Sequence, residues 1–119
     1  MNVPTEAQEQ AALLDWARYM KNYYPVLEYL CHIPNGGSRN PIEAHNLKLQ
    51  GVKPGMPDLV LPVSRHGYHH LYIELKRRKG SRVSIEQKKA LNFLNEQGNK
   101  AVVCYGWEDA KNVILEYLE

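Results

Sequence analysis

Asp58 closes the segment Gly55-Met56-Pro57-Asp58 and opens the apolar run Leu59-Val60-Leu61, while Glu74 and Lys76 lie two apart at the end of a second run, Leu71 to Leu75. In an extended strand alternate side chains share a face, so Tyr72, Glu74 and Lys76 point one way and Ile73 and Leu75 the other. If the two runs pair as a hairpin, Asp58 comes close to Glu74. Two carboxylates held together repel and lose solvation, and a proton or a cation relieves them. A hard divalent ion suits them: Mg²⁺ takes oxygen ligands at ~2.0–2.1 Å and keeps several waters, so two carboxylates and a backbone carbonyl suffice. Such an ion polarises a phosphate oxygen and lowers the pKa of a bound water. Lys76, a compact cation, can orient or help deprotonate that water and offset charge on a pentavalent transition state. The chemistry on offer is metal-assisted phosphodiester hydrolysis.

An isolated Glu-x-Lys is more often a surface ion pair, and Asp58 alone could cap a turn. What sets this constellation apart is its company. The Gly-x-Pro-Asp entrance precedes it by one strand-loop-strand length, and Lys76-Arg77-Arg78-Lys79-Gly80-Ser81-Arg82 follows, with five cations in seven residues. Net charge is only +2, so the distribution of charge says more than its sum. Arg77, Arg78, Lys79 and Arg82 are candidate phosphate contacts for DNA, or else a solvated turn. Asn35 and Arg39 border a Gly36-Gly37-Ser38 turn that could bring backbone close to DNA, with Arg39 reaching a phosphate, or be an ordinary tight turn. That turn is not a nucleotide-binding loop, since no Gly-Lys-Ser/Thr follows, and no nucleotide cofactor is expected. A non-catalytic DNA-binding module using the basic turn 76–82 is the competing function. A metal-holding role for His66, His69 and His70 is a third, but these residues lack a partner pair at ligand spacing. His32 and His45 stand alone and read as structural.

The elements that must position these groups follow from periodicity and caps. Thr5 caps a helix from about Glu6 to Tyr23, striped by Leu13, Leu14, Ala17 and Met20 and stopped by Pro25. Leu27 to Ile33 reads as a strand. Asn40, with Pro41 at the first position, starts a second helix that ends near Gly51. Two extended runs around His66-Gly67 form the hairpin. Ser84 and Gln87 form a possible capping box for a third helix, terminated by Gly98. Ala101 to Tyr105 is a buried strand, parallel to its neighbour after the helical crossover, and Trp107 to Tyr117 a last helix. The order α-β-α-β-β-α-β-α predicts an α/β fold with three α/β/α layers and a mixed central sheet.

At 119 residues the chain is expected to form one domain, 1–119, and its 44% hydrophobic and 24% charged residues are ordinary for a folded protein. No apolar run approaches the ~20 residues of a membrane helix. The first residues lack the basic-then-apolar layout of a secretory signal, so a cytoplasmic location is expected, a host's if the source is viral. Cys31 and Cys104 sit in apolar runs and read as buried hydrophobes without a disulfide.

Pro57-Asp58 followed by Glu74-Leu75-Lys76 resembles the PD-(D/E)xK nuclease superfamily, and more narrowly its virus-type replication-repair nuclease (VRR-NUC) branch. The likeness extends over Glu6 with Gln10, the turn 35–39, Gly51 to Leu59, Ile73 to Lys76, Ser84 with Gln87, Val102 to Cys104 and Ala110. It implies a restriction-endonuclease-like core. It also implies that Asp58, Glu74 and the backbone carbonyl of Leu75 ligate Mg²⁺ or Mn²⁺, with Lys76 beside the attacking water. Glu6 would complete the acidic cluster, as a second-metal or outer ligand, and Gln87 would face the site. Glu9 is the rival should Glu6 not take that place. Compact members resembling this chain imply cleavage of branched DNA, including four-way (Holliday) junctions, by a homodimer.

Overall fold

The computed structural model describes residues 2–35 and 40–119. Helix α1 (Glu6–Met20) begins with a full capping box: Thr5 accepts from the Gln8 N–H and the Gln8 side chain accepts from the Thr5 N–H. It ends at the last residue of its apolar stripe, short of the expected Tyr23, where the Tyr23 and Tyr24 N–H groups both turn back onto the Met20 carbonyl. The expected strand from Leu27 to Ile33 is mostly something else. Pro25–Tyr29 is a 3₁₀ turn, and only β1 (Cys31–His32) joins the sheet. Pro25 presets the φ of a first helical position, and Leu27 and Leu30, three apart, both turn into the core. Cys31 is consequently exposed on an edge strand, a correction to its expected burial, while Cys104 is buried.

Helix α2 (Pro41–Leu49) is capped by Asn40, whose side chain accepts from the Ile42 and Glu43 N–H groups, and none of its residues is buried. Strands β2 (Leu59–Leu61) and β3 (Leu71–Lys76) pair antiparallel. Their connection folds back through a tight turn in which His66 and Gly67 both have positive φ, 54° and 84°. Helix α3 (Ile85–Glu96) has a second capping box from Ser84 and Gln87. It leads to β4 (Lys100–Tyr105), parallel to β3, and then to α4 (Trp107–Leu118).

Among the described residues the sheet order is β1-β2-β3-β4. Leu59, Leu61, Leu71, Ile73, Leu75 and Cys104 turn one face toward α1 and α4, where Leu13, Ala17, Ala110, Ile114 and Tyr117 complete the main core. Tyr72, Ala101 and Val103 turn the other face toward α3, through Leu91 and Leu94. The result is the expected three-layer α/β/α fold with a mixed sheet. No helix among the described residues is long and apolar enough to cross a membrane.

Candidate nuclease site

The β2–β3 register pairs Leu59 with Ile73, so Asp58, the residue before β2, comes next to Glu74 on β3, close enough for its negative charge to act on the Glu74 carboxyl. Asp58 is locked there: its Oδ2 accepts from the Leu75 N–H at 2.7 Å, and its carbonyl accepts from the Ile33 N–H at 2.7 Å. The approach to β2 depends on Gly55, whose φ of +90° suits glycine and whose Cα faces the Glu86 backbone so closely that a Cβ would lie 2.8 Å from it. The Gly-x-Pro-Asp segment is thereby wedged against the start of α3.

Glu74 is 1% exposed and Asp58 8%. Glu74 Oε1 is fully buried and has no hydrogen-bond partner. Burial, then the hydrogen bond and negative charge of Asp58, push the Glu74 carboxyl from 4.5 up to about 9, while Lys76 pulls the other way. A partnerless buried carboxyl oxygen beside a second carboxylate is a donor set that fits a hard divalent ion. Among the described residues no group of three or more His, Cys, Asp or Glu side chains is arranged to hold a metal. The side-chain ligands available are therefore the Asp58–Glu74 pair, leaving further positions to backbone and water.

Lys76 is nearly buried, and its Nζ lies 4.0 Å from Glu6 Oε1. Glu6 Oε1 also accepts from Ser81 Oγ at 2.9 Å. Glu6, Ala7, Gln10, His32, Asp58 and Leu75 line a cleft of about 260 Å³ over this end of the sheet. Glu6 thus borders the site without joining Asp58 and Glu74 as a third side-chain ligand. Glu9, its rival, is ruled out by its neighbours. It is 1% exposed, with Oε1 accepting from the Trp107 N–H at 3.2 Å and Oε2 from Arg78 Nε at 3.1 Å. It caps α4, whose own N-cap, Gly106, has no side chain to do so. The Gln87 side-chain oxygen accepts from the Ser84 N–H at 2.8 Å, a capping contact at the start of α3.

The basic turn is only partly available to DNA. Arg78 is held by Glu9 and by Glu108 at 3.2 Å, and Arg77 donates to the Val3 carbonyl at 2.9 Å with its Nε buried. Lys79 and Arg82 are exposed. Asn35 is exposed as well, whereas Arg39 lies outside the described residues. The loop histidines are dispersed among protein contacts. His66 meets Tyr117 edge-on, the His69 backbone N–H donates to the Gly98 carbonyl, and His70 Nδ1 lies 3.2 Å from Asn99 Oδ1. His32, read from sequence as structural, lies in the site cleft instead. Only the pairing of β1 with β2 reveals this, and a two-residue strand leaves no periodicity to read.

No curated protein matches the chain. A solved structure named "VRR_NUC domain protein" superposes with a TM-score of 0.83 at 31% sequence identity, covering 98% of this chain and 90% of the other. The family model for the VRR-NUC domain matches residues 4–108, a span that includes Glu6, Asp58, Glu74, Lys76 and Gln87. With the match extending over most of the fold and across the paired carboxylates, the chain belongs to the VRR-NUC family, nucleases of the PD-(D/E)xK type whose substrate is DNA and which typically use divalent metals.

Proposed function

We propose that the protein is a Mg²⁺- or Mn²⁺-dependent endodeoxyribonuclease that cleaves branched DNA, four-way junctions among them, as a homodimer. The observation that carries the catalytic part is the Asp58–Glu74 pair with its partnerless buried Glu74 oxygen. Asp58, Glu74 and the Leu75 carbonyl would hold the cation. When bound, the cation supplies Lewis-acid polarisation of the scissile phosphate and lowers the pKa of water. Asp58 is kept in place by the Leu75 N–H, so the carboxylate needs no rearrangement to receive its ligand. Lys76, buried and neighboured by Glu6, keeps an ammonium group beside the pair, where it can offset negative charge that grows on the phosphate. Glu6, 4.0 Å from that ammonium group, is the candidate outer ligand. Gln87 sits at the α3 N-terminus as a further polar group for the site, and Asn35, Arg39, Lys79 and Arg82 are the candidate DNA contacts.

Branched DNA and a dimer are supported by the resemblance and by symmetry. A junction presents symmetry-related strands, and a two-fold dimer presents two matching sites. A binding-only role for the basic turn has less support, because Arg77 and Arg78 are engaged with protein groups. The test is a panel of labelled duplex, flap and four-way DNA incubated with the protein in Mg²⁺, Mn²⁺ or EDTA. The proposal expects metal-dependent cleavage with a preference for the four-way substrate. Cleavage of duplex at an equal rate would remove the structural selectivity, and no cleavage in any metal would remove the enzyme.

A further inference from the structure

The wall of the site cleft contains one ring, His32 of β1, which pairs with Leu59. Its Nδ1 lies 2.9 Å from the Asp58 carbonyl oxygen, the same atom that accepts from the Ile33 N–H. A carbonyl can only accept, so the contact is a hydrogen bond when Nδ1 carries the proton. Two successive residues of one chain segment then grip the peptide group of Asp58, and the ring is oriented before any ligand arrives. With Nδ1 engaged, Nε2 is the remaining polar atom of an exposed side chain.

The chemistry of the cleft makes that atom useful. Of the other lining side chains, Glu6 and Asp58 carry carboxylates that repel a phosphate backbone, Ala7 and Leu75 are apolar, and Gln10 offers an amide. His32 also borders a second cleft of about 230 Å³, between α1 and the segment 27–31. It stands as a partition with space on two sides, unlike a histidine that serves only to fill a core. We infer that His32 is a substrate-contacting residue of this site, meeting the DNA strand beside the scissile phosphate through Nε2 and its exposed ring edge. This rests on the nuclease reading above.

The test separates the two ring nitrogens in the full-length chain. In His32→Asn the amide nitrogen stands near the place of Nδ1 and nothing replaces Nε2; in His32→Gln the amide reaches toward the place of Nε2. Binding of labelled four-way DNA is measured by anisotropy in Ca²⁺, alongside steady-state cleavage in Mn²⁺ and calorimetric Mn²⁺ affinity. The expectation for His32→Asn is DNA affinity weakened about five- to twenty-fold, KM raised by a similar factor, and kcat within about three-fold of wild type. Mn²⁺ affinity stays within about two-fold, and His32→Gln recovers part of the DNA affinity. Wild-type DNA binding by His32→Asn would overturn the inference, since the Nδ1 bond would then be the whole role. So would a loss of Mn²⁺ affinity as large as that of Asp58→Ala, which would make the ring a support for the metal ligands. If the wild type cleaves nothing in any metal while His32→Asn still loses DNA affinity, the contact stands and the nuclease reading fails.

Discussion

Glu74 sets the behaviour of the site at the scale of single residues. Burial and Asp58 raise its carboxyl to about 9, so the Asp58–Glu74 pair is expected to share one proton at neutral pH in the absence of a cation. A divalent ion bound as proposed would displace that proton. Mn²⁺ titrated at pH 7 in buffers of different ionisation enthalpy should therefore release close to one proton per ion, and affinity should climb as pH rises toward 9. Folding stability moves in the opposite direction. Between its unfolded value of 4.5 and about 9 the folded state holds a proton that the unfolded state does not, so metal-free stability falls as pH rises through that window. Thermal melts in EDTA should show the fall for wild type and a flattened profile for Glu74→Gln, which cannot ionise. A pH-independent wild-type melt would contradict the assignment. The carboxylate pair was legible from alternation and the Pro-Asp entrance, because both are properties of short segments. The restraint of Arg77 and Arg78 was not, since their partners Val3, Glu9 and Glu108 lie far away in sequence and meet them only after α1 and α4 dock.

Elements place those residues, and two substitutions test how. Gly55→Ala puts a Cβ at positive φ and 2.8 Å from the Glu86 backbone, so it should cost about 1–3 kcal/mol in urea denaturation and disturb the approach to Asp58. An unchanged midpoint would show that the loop shifts freely. Glu9→Ala leaves the Trp107 N–H and the Arg78 guanidinium without their buried acceptor. Its cost should be about 1–3 kcal/mol, with Mn²⁺ affinity unchanged, and a Mn²⁺ affinity lost with it would return Glu9 to the metal site. Capping explains what could be read at this scale. The Thr5–Gln8 and Ser84–Gln87 boxes and the Asn40-Pro41 start are made within four residues, so helix starts needed no tertiary information. The segment 25–33 is ambiguous in sequence because an apolar run suits strand and 3₁₀ turn alike, and the docking of Leu27 and Leu30 against α1 decides between them.

For the whole molecule, the mixed sheet exists to bring the end of β3 to the start of β2 between helix layers, and a cation bound there stabilises the fold by mass action. At about 100 times its Kd the gain is about 2.7 kcal/mol, so Mn²⁺ should raise the melting temperature of wild type and leave Asp58→Ala unmoved. On the proposed reading this end of the sheet hydrolyses DNA through its two acids. The most direct measurement of this is the single-turnover cleavage rate of labelled four-way DNA in Mn²⁺ by wild type and Glu74→Gln, with the folding of both checked by circular dichroism. Wild type should cleave in a metal-dependent manner, and the variant should lose about 100-fold or more. Equal rates for the two folded proteins would contradict this reading.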